Sequence, residues 1–141
     1  MKKDRTVLVC ATLQSSSENL IHAGKAMAEK SSADLEVVSV VPIEDEERKF
    51  DPEALDRLYT CARRHGGDMA VYFSNDPIMT VCAHIAKRKP LTIVTGFPGE
   101  RSNSFISLIH LILPDVPISM VDTGGTVYNI LPSEASKPVA G

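Results

Sequence analysis

The chain has 141 residues, 43% apolar and 23% charged, with a net charge of −3. That length suits one domain with one sizeable core. There is no basic excess to mark a nucleic-acid binder, and no apolar run nears the ~20 residues of a membrane span. The basic opening Met1-Lys2-Lys3-Asp4-Arg5 leads into a strand-length run rather than a signal segment, so the chain reads as cytoplasmic. Cys10, Cys61 and Cys82 are widely spaced and read as buried, inert thiols. His22, His65, His84 and His110 show no ligand spacing, so no metal site is expected.

Thr6 to Ala11 is a continuous apolar run, the pattern of a strand covered on both faces. Ser15-Ser16-Ser17-Glu18 reads as a capping box with Ser15 as N-cap. Leu20, Ala23, Met27 and Ala28 then line one helix face. Leu35 to Val41 is a second strand, stopped by Pro42. Residues 43–50 carry a charge cluster and read as a solvated loop. Asp51-Pro52-Glu53 opens a second helix with apolar face Leu55, Leu58, Tyr59 and Ala62, ended by Gly66-Gly67.

Met69 to Phe73 is a third strand. Asn75-Asp76-Pro77 starts a third helix with a stripe of Ile78, Val81, Cys82, Ile85 and Ala86, stopped at Pro90. Leu91 to Thr95 is a fourth strand and leads into Gly96-Phe97-Pro98-Gly99 and the turn Arg101-Ser102-Asn103-Ser104. Phe105, Leu108, Ile109, Leu111 and Ile112 mark a fourth, largely apolar helix ended by Pro114, and Pro117 to Val121 a fifth strand. Residues 1–131 form one domain, and 132–141 read as a flexible tail.

This alternation predicts an α/β fold: an open, Rossmann-like, five-stranded parallel sheet with helices on both faces. With strand order 3-2-1-4-5, the end of strand one (Ala11, Thr12) and the glycine loop after strand four flank the crevice where ligands bind in such sheets. Backbone N–H groups at a glycine loop opening a helix suit phosphate. Gly96 and Gly99 supply the loop, Ser102 and Ser104 supply hydroxyls, and Arg101 supplies a guanidinium for phosphate. Ala11, Thr12 and Val41 would border base and ribose. Strand five has two solutions for its exposed edge. It pairs with a second copy, or Asp122-Thr123-Gly124-Gly125 turns Thr126 to Leu131 back as a hairpin. No spacing of Ser, His, Asp or Cys calls for a catalytic triad, so the chain is not read as an enzyme.

Over residues 5–122 the pattern resembles the universal stress protein family, most closely its domain in Kdp-type potassium-sensor kinases. The resemblance rests on Val7-Leu8-Val9-Cys10-Ala11, on Leu35 to Val41, on Pro114-x-x-Pro117-Ile118 and on Gly96-x-x-Gly99, which matches the first part of the family's ATP loop, G-x2-G-x9-G-[S/T]. Thr12 stands where ATP-binding members usually carry an acid, and Ile109-His110 where the loop would bring Gly and Ser or Thr. In some sensor-kinase members an S-x-S turn and a later F-T-A-x-Y segment are associated with cyclic di-AMP. Ser102-Asn103-Ser104 matches the first, and Thr126 stands in register in the second, with Tyr128 displaced by one.

The resemblance implies a non-enzymatic regulatory module for stress or potassium-related signalling. It would bind an adenine nucleotide, ATP, AMP or cyclic di-AMP, and form a homodimer through strand five. The alternative is a ligand-free dimeric interaction protein with a degenerate loop. A weak nucleotide hydrolase ranks last, because the strand-one acid and a metal-ligand cluster are missing.

Overall fold

The computed structural model describes residues 5–13, 17–43, 49–96 and 103–130. In chain order the elements are β1 (Thr6–Cys10), α1 (Ser17–Lys30), β2 (Asp34–Val41), α2 (Pro52–Arg64), β3 (Asp68–Phe73), α3 (Pro77–Arg88), β4 (Thr92–Gly96), α4 (Asn103–Ile112), β5 (Ile118–Val121) and β6 (Val127–Ile130). The sheet has six strands in the order β3-β2-β1-β4-β5-β6. The first five are parallel, as the alternating pattern requires, and β6 is antiparallel to β5.

An open sheet has two buried faces, so the expected single core is two. Val7, Val9, Leu35, Val37, Val94 and Val121 face α1 and α2, joined there by Leu20, Ile21, Leu58 and Ala62. Leu8, Val38, Ile93 and Ile118 face the other way and pack with Val81, Ile85, Ile106 and Ile109 from α3 and α4. Strands buried on both sides cannot alternate apolar with polar, which is why their runs are continuous.

Local signals hold where they can be read. Asp51 Oδ1 accepts from the N–H groups of Glu53 and Ala54 at 3.1 and 3.2 Å, and Asp76 Oδ1 from Met79 N–H at 3.2 Å. Gly66 adopts φ +75°, the left-handed cap that ends α2. Ser15 of the expected capping box lies outside the described residues, as do 44–48 of the charged loop, residue 131 and the 132–141 tail. Gly24 is a glycine for a different reason. A Cβ there would lie 2.5 Å from Val9 Cγ2, so α1 approaches β1 as closely as a bare backbone allows.

Several helix faces differ from the sequence pattern. Tyr59 is exposed, and α2 buries Ala54 and Cys61 beside Leu58 and Ala62. On α3, Ala86 is exposed and His84 takes its place in the interior. On α4, Leu111 is 74% exposed, although it was expected on the apolar face. The two-sided sheet accepts side chains only along a narrow line of each helix, so apolar residues off that line stay in water.

The competing solutions for strand five are resolved in favour of the hairpin. β5 is hydrogen-bonded to β4 on one side and to β6 on the other. Its backbone edge is therefore closed within the chain, and the free edge on that side belongs to β6.

Candidate functional site

The site follows from where the topology reverses. From β1 the chain crosses through α1 to β2 on one side; from β4 it crosses through α4 to β5 on the other. β1 and β4 are neighbours, and the carboxyl ends of two strands at such a reversal are where open α/β sheets take ligands. Val9 pairs with Val94, which brings Ala11 level with Gly96 two residues further along. Gly96 in turn pairs with Val121, and Ala11 N–H donates to Val38 O at 2.9 Å.

Of the expected site residues, Ala11, Thr12 and Gly96 meet at this reversal. Ala11 is buried and forms floor rather than wall. Thr12 is exposed, and its conformation is set by the first residue of α1: Thr12 N–H donates to Ser17 Oγ at 3.0 Å, and the two hydroxyls lie 3.3 Å apart. Ser17 is 1% exposed, so this contact is internal. The sequence reading placed the cap at Ser15 and missed Ser17. Its signal was the third serine of the run, too close to its neighbours for spacing alone to single out.

Gly96 is partly buried, and a Cβ built there would meet only Leu20 Cδ1, at an ordinary 3.8 Å. Packing among the described residues does not demand a glycine at this position. Val41 is buried at the end of β2, with its carbonyl accepting from Ser74 N–H at 2.9 Å. It lies one strand beyond β1, about 10 Å from β4 by strand spacing. It is not brought together with Gly96.

Thr126 lies on the opposite flank, in the β5–β6 turn, two strands beyond β4. Asp122 organises that turn. Its Oδ1 accepts from Gly124 and Thr126 N–H, both at 2.9 Å, and its Oδ2 from Tyr128 O–H at 3.4 Å. The carboxylate therefore serves the turn, in keeping with its expected role. Gly99, Arg101 and Ser102 lie outside the described residues. Ser104 has its backbone in the first turn of α4, and its side chain lies outside what the structure describes.

The position aligned with the second glycine of the ATP loop has a different place from the one the motif implies. Ile109 is fully buried and lies two turns into α4, in the second core. His110 follows it with Nδ1 buried and without a hydrogen-bond partner. Neither is near a helix start. The N–H groups of α4 that no helical carbonyl reaches belong to its first turn, at Asn103 to Phe105. Among the described residues no three His, Cys, Asp or Glu side chains converge as a metal site.

Cys61 and Cys82 are buried, and Cys10 is half-buried against the second core. Burial among the second core pushes the Cys10 thiol up to about 12, with Cys82 adding to the rise. Burial also raises Cys61 and Cys82. Among the described residues no helix is long and apolar enough to cross a membrane.

No family model and no curated protein matches the sequence. Solved structures do match in fold. A universal stress protein from Archaeoglobus fulgidus superposes with a TM-score of 0.65 at 15% identity, covering 82% of this chain and 92% of its own. A universal stress protein of the same organism in complex with dAMP gives 0.61 at 16% identity, with coverages of 85% and 98%. A universal stress protein in complex with cAMP gives 0.59 at 15% identity, with coverages of 84% and 97%. At such identities the likeness is one of fold.

Proposed function

We propose that this chain is a non-enzymatic regulatory module of universal-stress type that binds an adenine nucleotide at the β1/β4 crevice. The observation that carries the reading is Gly96. It sits at the topological reversal, beside Ala11 and Thr12, where packing among the described residues leaves room for a side chain that the sequence does not supply. A glycine there leaves space for a ligand and freedom for the loop that follows. Two proteins of the same fold hold dAMP and cAMP, ligands of the class this crevice would take.

In this reading the first turn of α4, with Gly99, Ser102, Ser104 and Arg101, holds phosphate. Thr12, positioned by Ser17, meets the ribose or base. Thr126 approaches from the hairpin if the ligand is long enough, as a cyclic dinucleotide is. The role is signalling in stress or in potassium homeostasis rather than hydrolysis. The second reading is a ligand-free interaction protein. It is favoured by the β6 edge, since residues 123–130 carry no charged side chain to deter pairing.

The test is thermal unfolding with ATP, AMP, cAMP and cyclic di-AMP at millimolar concentration. Binding must stabilise by mass action, about 2.7 kcal/mol at one hundred times Kd. At least one nucleotide raises Tm, and Gly96→Val abolishes the rise while the protein stays folded. If no adenine nucleotide moves Tm, the proposal fails. A dimer that then strengthens with concentration supports the second reading.

A further inference from the structure

Glu36, Tyr72, His84 and Arg88 are scattered in sequence, and none belongs to the crevice. The register brings them together. Glu36 and Tyr72 lie on the same face of the β2–β3 pair, because Glu36 pairs with Asp68 and Val40 with Tyr72, four residues on. α3 covers that face and brings His84 and Arg88 on successive turns. His84 Nε2 lies 2.7 Å from Glu36 Oε1, and Tyr72 Oη lies 2.8 Å from His84 Nδ1. Arg88 Nε lies 3.4 Å from Glu36 Oε2. His84 is 3% exposed and Glu36 9%, whereas Tyr72 is 36% exposed on the edge strand β3.

The two contacts suit one tautomer of the ring in particular. An ionised carboxylate only accepts, so Nε2 carries the hydrogen toward Glu36. In the neutral tautomer with its hydrogen on Nε2, Nδ1 is bare and stands 2.8 Å from Tyr72 Oη, placed to receive the phenol proton. The arrangement is a hydroxyl, a base within hydrogen-bond reach and a carboxylate orienting that base. Burying these groups is costly beside an apolar alternative of the same shape, so structural need alone is a weak account of them.

We propose that Tyr72 is a nucleophilic acylation site, with His84 as its general base and Glu36 as the residue that orients the base; its substrates are activated acyl esters. The Tyr72 oxygen bonds to the acyl carbon. The bond from that carbon to the leaving alcohol's oxygen breaks, and the alkoxide or phenoxide departs with the electron pair. The phenol proton passes to His84 Nδ1, and the resulting imidazolium is held by Glu36 until the proton returns to solvent or leaving group. The site lies on the α3 side of the sheet edge and is independent of the nucleotide reading.

The probe is p-nitrophenyl acetate on the full chain, with acetylation followed residue by residue by peptide mass spectrometry. Tyr59 and Tyr128 are internal comparators, at 49% and 44% exposure both more accessible than Tyr72. A positioned base contributes on the order of 10²-fold, so Tyr72 is acetylated about that much faster than Tyr59. His84→Gln brings Tyr72 down to the Tyr59 rate and leaves the Tyr59 rate unchanged, with the urea unfolding midpoint of the variant reporting that the fold persists. A wild-type Tyr72 rate within about fivefold of Tyr59 overturns the proposal, whatever the variant does. A fast Tyr72 that survives His84→Gln overturns the role of the base. Glu36→Gln lowers the Tyr72 rate by a smaller factor than His84→Gln, and no change there overturns the role given to Glu36.

Discussion

Restoring the missing glycine of the ATP loop is the sharpest test of the site's geometry. The motif places that glycine at position 109, so a site built as in the motif would gain nucleotide affinity from Ile109→Gly. The structure predicts damage instead. Ile109 is 0% exposed and shares a core with Ile93, Ile106 and Ile118. Truncating such a side chain to alanine costs about 2–5 kcal/mol, and glycine inside a helix costs about 1 kcal/mol more. The expected loss is about 3–6 kcal/mol, a large share of the roughly 5–15 kcal/mol that holds a domain together. With a urea m-value of about 2 kcal/mol/M, the unfolding midpoint falls by about 1.5–3 M. Ile109→Val is the control, at about 0.5–1.5 kcal/mol. Titration calorimetry with ATP shows no gain for Ile109→Gly under conditions where it remains folded. A loss under about 1 kcal/mol, or a gain in ATP affinity, would refute the placement of residue 109 in the core.

Ser17→Ala removes the acceptor of Thr12 N–H, costs about 1 kcal/mol in urea unfolding and speeds hydrogen exchange at the Thr12 amide. Gly24→Val drives a side chain into Val9 and Leu35 and destabilises by about 2 kcal/mol by overpacking, read as a lower unfolding midpoint. Cys10, with its thiol at about 12, resists alkylation: at pH 8 only about one thiol in 10⁴ is thiolate, so native-state iodoacetamide labels it far more slowly than the unfolded chain. The sign of the linkage follows. The unfolded thiol loses its proton above its model value of 9.0 while the folded one keeps it, so stability falls as pH rises from 9.0 toward about 12.

By itself the sequence determined the order and kind of the elements. Continuous β-branched runs, Asp-Pro starts at 51–52 and 76–77 and the Gly66 stop are local signals, and local chemistry decides them. They also sufficed for a doubly wound sheet, because right-handed crossovers leave few ways to arrange five such units. Only the tertiary structure decided which side chains meet. Tyr59 and Leu111 look apolar enough for a core and face water, while His84 is interior because a carboxylate from β2 and a phenol from β3 wait for it there. The apolar pattern already put Ile109 on the fourth helix, and the structure adds that it enters the second core there, so the glycine of the motif spacing has no loop to occupy. Whether strand five would be an edge depended on a turn at Asp122, whose carboxylate gathers two backbone N–H groups and folds β6 back. Each of these is a contact between residues distant in sequence or a choice between alternatives of similar local energy. Neither leaves a mark in composition or periodicity.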